Sequence, residues 1–282
     1  MRSPEIVAVA VAGLRKRPSH GSEQTSQLLL GETFGVLERA QRGEWLRVRC
    51  DHDGYEGWLR SWHAVAPPVG AAQRWRETAQ WQVRCLLAVV RRAPEAEAET
   101  LTPLPWGALL APRRGRQPAG WIGVTLPDGR QGFLRRRDAA WKEDAPPPAT
   151  SAGLQRTARI FLGVPYEWGG RSSWGMDCSG FVQTIAARHG IPLPRDARQQ
   201  ARALGLSRGS RRSAPEWPAK PGNIAFFGAP GHPVTHVGLA ANRGRLLHAL
   251  GAVRSNDLGK PSQPIEQQLL KRFLGGCPLD LS

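Results

Sequence analysis

Short alternating runs dominate the first half of the chain. Thr33 to Glu38, Trp45 to Cys50 and Tyr55 to Arg60 switch between apolar and polar positions with a period of two, which predicts half-buried strands. Arg42-Gly43 and Asp53-Gly54 separate them and predict hairpin turns, because Gly supplies a positive φ and Asp tolerates one. The apolar run Ile6 to Leu14 is predicted as one further strand. It opens on Glu5 rather than a basic region, lacks a signal-cleavage pattern, and falls far short of the roughly 18 apolar residues that span a bilayer. Farther on the period changes. Phe181, Val182, Ile185 and Ala186 recur at spacings of three and four, and predict a helix that opens near Cys178 on an Asp177 N-cap and closes at His189-Gly190. Thr235 to Ala240 and Arg245 to Leu250 alternate again.

The strand pattern is used twice. Pro18 and Pro94, Glu23 and Glu99, Gly31 and Gly107, and Trp45 and Trp121 match at a shift of 76. Asp53-Gly54 matches Asp128-Gly129, and Gly57-Trp58-Leu59-Arg60 matches Gly132-Phe133-Leu134-Arg135, at a shift of 75. One deletion reconciles the two values, and each copy predicts a small β-barrel of roughly 60 residues. The Pro-rich stretch Ala145 to Ala149 reads as a stiff linker to a helix-and-strand domain. The predicted organisation is a barrel over residues 1–67, a second over 78–144, and an α+β domain over 150–282.

Composition narrows the function classes. The net charge is +16, carried almost wholly by Arg, and raises an anionic partner such as nucleic acid or an acidic wall polymer. The arginines are scattered, with short runs at Arg15 to Arg17, Arg113-Arg114 and Arg135 to Arg137, and no nucleic-acid module accompanies them. A solvated Arg-rich surface is the preferred reading, with neither nucleic acid nor membrane as partner. Cys50, Cys85, Cys178 and Cys277 sit at no metal-ligand or disulfide-framework spacing, so no metal or other cofactor is expected. Reduced thiols and the missing signal point to the cytoplasm; a truncated start would reopen the periplasm or secretion.

Cys178 is the first candidate for chemistry. A thiolate at a helix N-terminus is stabilised by the helix dipole, and free amides there can receive an oxyanion. Its small polar neighbours Asp177, Ser179 and Gly180 are unlike a core context. A nucleophilic thiol needs a base. With a turn at Ala241 to Arg243, residues summing to 484 face each other, so His236 and His248 stand directly opposite on one sheet face. That suits a base and the group that orients it. Each of these residues, taken alone, reads more readily as a structural side chain; the polar neighbours of Cys178 and the facing of the two histidines shift the reading toward chemistry.

The ordered motifs Tyr166-Glu167-Trp168-Gly169-Gly170, Asp177-Cys178-Ser179-Gly180-Phe181-Val182, Pro194-Arg195-Asp196 with Gln200, Pro221-Gly222-Asn223 and His236-Val237-Gly238 resemble those of NlpC-type cell-wall cysteine peptidases. The resemblance implies a papain-like fold with Cys178 as nucleophile, His236 as base, His248 as the third polar member and Tyr166 near the oxyanion. It also implies that Trp168, Asp177, Ser179, Arg195 and Asp196 line the substrate cleft. Asn223 stands where the family usually has Asp, and Ala197 where it commonly has Ser. Gly31-Glu32, Trp45 and Asp53 to Trp58 resemble bacterial SH3 domains, so the expected fold is an α+β papain-like catalytic domain preceded by two all-β SH3-like barrels. That arrangement resembles γ-D-glutamyl-L-diamino acid endopeptidases of murein-peptide recycling. It implies hydrolysis of short peptidoglycan-derived peptides with a free N-terminal L-Ala, whose ammonium would meet Glu23 and Tyr55. The second copy keeps Glu99 but has Arg130 where the first has Tyr55. An amidase or acyltransferase on the same scaffold, or a non-catalytic wall-binding protein, is the alternative.

Overall fold

The computed structural model describes residues 4–115, 117–142, 146–206, 217–229 and 231–279. Ala145 of the Pro-rich stretch, Asp144 at the end of the second predicted barrel, and both chain ends lie outside them. The chain divides into two compact units, Met1–Ala145 with Ser172–Trp174, and Pro146–Arg171 with Gly175–Ser282. Among the described residues, no helix is long and apolar enough to cross a membrane.

The first unit holds two antiparallel sheets. The first comprises β1 (Glu5–Val7), β2 (Val11–Arg15), β3 (Gln24–Leu29), β4 (Thr33–Ala40), β5 (Trp45–Cys50), β6 (Glu56–Arg60) and β7 (Ala64–Val65), in the order β3-β2-β6-β5-β4-β1-β7. Helix α1 (Ala71–Thr78), which the apolar pattern did not predict, leads to β8 (Trp81–Val83), β9 (Ala88–Arg91), β10 (Thr100–Leu104), β11 (Leu109–Pro112), β12 (Trp121–Thr125), β13 (Gln131–Arg135) and β14 (Ala139–Trp141). Their order is β10-β9-β13-β12-β11-β8-β14, the same topology seven strands later. The run Ile6 to Leu14 is thus two strands, not one. The chain changes neighbours between them: β1 pairs with β4 and β7, whereas β2 pairs with β3 and β6.

The matched residues of the repeat do the same work in both copies. Gly31 and Gly107 take φ of +84° and +92°, which disfavours any other residue. Asp53 and Asp128 each accept from the backbone N–H two residues on, at 3.0 Å. Arg60 lies over the Trp45 ring at 4.8 Å, and Arg135 over Trp121 at 4.1 Å. Each sheet has its own apolar core, and Leu30 of the first repeat is buried in the core of the second.

The second unit contains α2 (Ser151–Ile160), β15 (Arg171–Ser172, whose last residue groups with the first unit), β16 (Gly175–Met176), α3 (Cys178–Arg188) and α4 (Ala197–Ala203). After these come β17 (Ile224–Phe227), β18 (His236–Ala240), β19 (Arg245–Leu250), β20 (Ala252–Asp257), α5 (Pro264–Arg272) and β21 (Phe273–Cys277). The main sheet runs β20-β19-β18-β17-β21, antiparallel throughout. Phe181, Val182, Ile185 and Ala186 are buried, as their spacing predicts. The Pro-rich stretch is less free than its composition suggests. The His189 ring lies with Nδ1 2.9 Å from the Pro147 carbonyl oxygen and Nε2 2.9 Å from Thr157 Oγ1, fastening it to the second unit.

Candidate active site

Cys178 opens α3 because Asp177 caps it. Asp177 Oδ1 accepts from the Gly180 N–H at 2.7 Å and the Ser179 hydroxyl at 3.0 Å. Oδ2 accepts from the Gly169 N–H at 3.0 Å. Arg195, only 1% exposed, grips the same carboxylate with both Nη atoms, at 3.0 and 2.7 Å, and also donates to Ser179 Oγ and the Gly170 carbonyl. This buried fork ties the Gly169-Gly170 loop to the first turn of α3. Gly180 fits there because a Cβ would overlap the Gly170 carbonyl oxygen. The resemblance places Asp177, Ser179 and Arg195 in the substrate cleft. All three are buried, and their hydrogen bonds hold the loop and helix in place.

The electrostatics of Cys178 reverse the sequence expectation. The helix N-terminus and the Ser179 and Val237 amides favour a thiolate, yet burial, with Asp177 adding, pushes the thiol up to about 12. Loss of water costs the anion more than partial charges return. Tyr166 is near enough to feel Cys178. Burial first, then Cys178 and Asp177, push its hydroxyl up to about 12 as well. It keeps its proton and can donate a hydrogen bond.

The two histidines meet, but not in the predicted register. Leu239 pairs with Leu247 and Ala240 with Leu246, and Ala241 N–H donates to the Arg245 carbonyl at 2.7 Å. The turn is Asn242–Gly244, with φ of +59° at Arg243 and +70° at Gly244, one residue later than expected. The pairing therefore shifts by two, which preserves the sheet face but makes His236 and His248 diagonal neighbours. Gly238 stands opposite His248, where a Cβ would come within 2.9 Å of the His248 Cβ. His236 Nε2 lies 2.7 Å from His248 Nδ1, and His248 Nε2 lies 2.9 Å from Asn256 Oδ1.

Burial, with His248 and Arg272 adding, lowers His236 to about 3. Burial likewise lowers His248 to about 4, Arg254 adding and the Asn256 hydrogen bond opposing. At neutral pH both imidazoles are neutral, and so is the thiol. A pocket of about 290 Å³ opens beside His236 and Tyr166, edged by Thr235, Gln268, Leu269 and Arg272. Asn256 carries no sequence signal; only the β19–β20 pairing brings it to His248.

The remaining candidates are dispersed. Trp168 is 62% exposed. Asp196 forms a capping box with Gln199 at the start of α4, directly before Ala197. Asn223 leads into β17, its N–H donating to the Lys220 carbonyl. Glu23 and Tyr55 belong to the first unit. Glu23 pairs with Lys16 at 3.4 Å, as Glu99 pairs with Arg92 at 2.6 Å in the other copy, and Tyr55 packs against the first core. All four cysteines are free. Among the described residues, one group brings metal-ligand types together: atoms of Cys50, His52 and Asp53, near neighbours in sequence, lie within 4.8 Å of one another. Asp53 already serves its turn there, accepting from the Tyr55 N–H.

Known proteins resemble the chain along most of its length. Residues 163–271 match the model of the NlpC/P60 family, and residues 14–63 that of the bacterial dipeptidyl-peptidase Sh3 domain. A γ-D-glutamyl-L-lysine dipeptidyl-peptidase of Bacillus subtilis is 31% identical over 79% of this chain and 71% of its own length. Dipeptidyl-peptidase 6 of Lysinibacillus sphaericus is 27% identical over 68% of this chain and 72% of its own. A solved NlpC/P60 family protein from Bacillus cereus shares the fold with a TM-score of 0.78, at 21% identity, over 98% of this chain and 99% of that one.

Proposed function

This chain belongs to the NlpC/P60 family of cysteine peptidases, with a papain-like catalytic fold, and from that premise we propose that it hydrolyses the bond between γ-D-glutamate and an L-diamino acid in short peptidoglycan peptides. The observation that carries the reading is the helix-capped Cys178 beside β18, with His236 held at 2.7 Å by His248. In the proposed reaction Cys178 Sγ attacks the γ-carbonyl carbon while its proton passes to His236. The Tyr166 hydroxyl and the Cys178 N–H receive the oxyanion. His236 then returns the proton to the departing amine, and water cleaves the thioester. Because thiol and imidazole rest neutral, proton transfer accompanies attack.

The two sheets of equal topology are read as two SH3-like barrels. The first would select a free N-terminal L-Ala through Glu23 and Tyr55. The Sh3 match at 14–63 supports the first barrel, the shared strand order supports the second, and the dipeptidyl-peptidase names of the relatives support the substrate.

Mass spectrometry of the products from L-Ala-γ-D-Glu-meso-diaminopimelate, its L-Lys counterpart and their N-acetylated twins tests the reading, with Cys178→Ala as control. Cleavage of the free peptides alone, lost in the variant, is expected. Cleavage of acetylated peptides as well discards the roles of Glu23 and Tyr55. No cleavage of any transfers the weight to an amidase or acyltransferase.

A further inference from the structure

We propose that Asn256 and Glu266 are positioning residues that decide which nitrogen of His236 is the base. Both are buried, one on β20 and the other in the first turn of α5. The inference rests on the reading of Cys178 and His236 as the reacting pair, and follows from counting donors and acceptors along one chain of contacts.

Glu266 is the fixed end. Its Oε1 accepts from Asn256 Nδ2 and the Asp257 N–H, each at 3.0 Å; its Oε2 accepts from the N–H groups of Ser262 at 2.8 Å and Gln263 at 3.0 Å. The Asn256 bond, then the backbone amides, lower its pKa to about 2, so near neutral pH it is a carboxylate with only acceptors to offer. Asn256 must therefore turn its NH2 toward Glu266 and its Oδ1 toward His248. A flipped amide would set oxygen against carboxylate.

The rest follows. With Oδ1 at 2.9 Å, His248 Nε2 has to carry the proton. A neutral imidazole has one N–H, so His248 Nδ1 is an acceptor, and His236 Nε2, 2.7 Å away, has to donate. His236 Nδ1 is then the bare nitrogen. When Cys178 attacks, the thiol proton goes to Nδ1. The imidazolium still donates from Nε2 to His248, and the Nδ1 proton leaves with the amine. In the opposite setting Nδ1 would already hold a proton and accept none.

Two experiments on the whole 282-residue chain test this. The first is two-bond ¹H–¹⁵N correlation of histidine-labelled wild-type protein near pH 7. It should show both His236 and His248 as Nε2–H tautomers, whatever the substrate proves to be. An Nδ1–H form of His236 overturns the proposal while leaving the peptidase reading untouched. The second is kinetic. In Glu266→Gln the NH2 must face either Asn256 and the Asp257 N–H or the two N–H groups of Ser262 and Gln263; the first placement opposes fewer backbone donors and frees Asn256 to flip. Here kcat should fall about 10–100-fold with KM near the wild-type value, and the Nδ1–H tautomer should appear. Asn256→Asp added to Glu266→Gln restores an obligate acceptor beside His248 and should recover most of kcat. If Glu266→Gln lowers only the melting temperature, with tautomers and kcat unchanged, or if the double variant recovers nothing, Glu266 merely caps α5 and the proposal falls.

Discussion

Gly238 faces His248 across the β18–β19 hairpin at a spacing that leaves no room for a Cβ. The residue opposite the orienting histidine has no side chain, and the base, two positions earlier, reaches over diagonally to touch it at 2.7 Å. A strand glycine usually weakens a sheet; here it makes space for an imidazole.

Tyr166→Phe removes the hydroxyl that senses Cys178 and leaves the ring in place. The proposed oxyanion contact exists only once the carbonyl has been attacked, so kcat should fall by about 10²-fold and KM should stay within about twofold. Steady-state kinetics on the free-amine peptide decide it; a change confined to KM would make Tyr166 a binding residue.

Arg195→Lys replaces a planar fork by a single ammonium within a pair that is almost wholly buried. A single ammonium cannot reproduce the donations that the two Nη atoms make to Asp177, Ser179 and Gly170, and the Asp177 carboxylate should be left partly unmatched. A stability loss of about 3 kcal/mol is expected, with the remaining activity tracking the folded fraction. Urea unfolding measures the first and activity against urea the second.

The neutral resting pair sets the pH–rate profile. The reactive form needs an unprotonated His236, lowered to about 3, and a thiol that ionises only near 12. The acid limb of kcat/KM should therefore lie well below the usual histidine pKa of about 6.5, followed by a broad plateau through neutrality. A limb at 6.5 would mean that water reaches the pair.

Acid should destabilise the second unit earlier than it would a protein with exposed histidines. Unfolded chains take up protons as pH falls through 6.5, whereas His236 and His248 in the folded state wait until about 3 and 4. Stability is thus full above pH 6.5 and declines below it, by on the order of 2 kcal/mol per pH unit while both groups contribute. Glu266, lowered to about 2, adds a further loss below its usual carboxylate range. Urea midpoints at pH 7 and pH 5 should differ strongly in the wild type and much less after His236→Gln and His248→Gln together.

What could be read from the chain was local. Asp177 before Cys178, with Phe181, Val182, Ile185 and Ala186 behind it, marked the helix because N-caps and apolar stripes are properties of adjacent residues. Gly31 and Gly107 marked the repeat because each meets the same positive φ. The hairpin register escaped prediction, since it hinges on Arg243 taking the left-handed region in place of a glycine. Asn256 and Glu266 were invisible because only strand pairing and the seating of α5 bring them to His248. The thiol pKa departs from what the helix N-terminus alone favours for a related reason: the dipole of a helix can be read from its sequence, but the depth of burial cannot.

The burial of Cys178 has a consequence outside the reaction. Peroxide and other soft oxidants attack thiolates, and a thiol pushed up to about 12 offers almost none of that form near neutrality. Between turnovers a buried sulfur held as the thiol is expected to resist conversion to sulfenic or sulfinic acid, so that an idle molecule keeps its nucleophile.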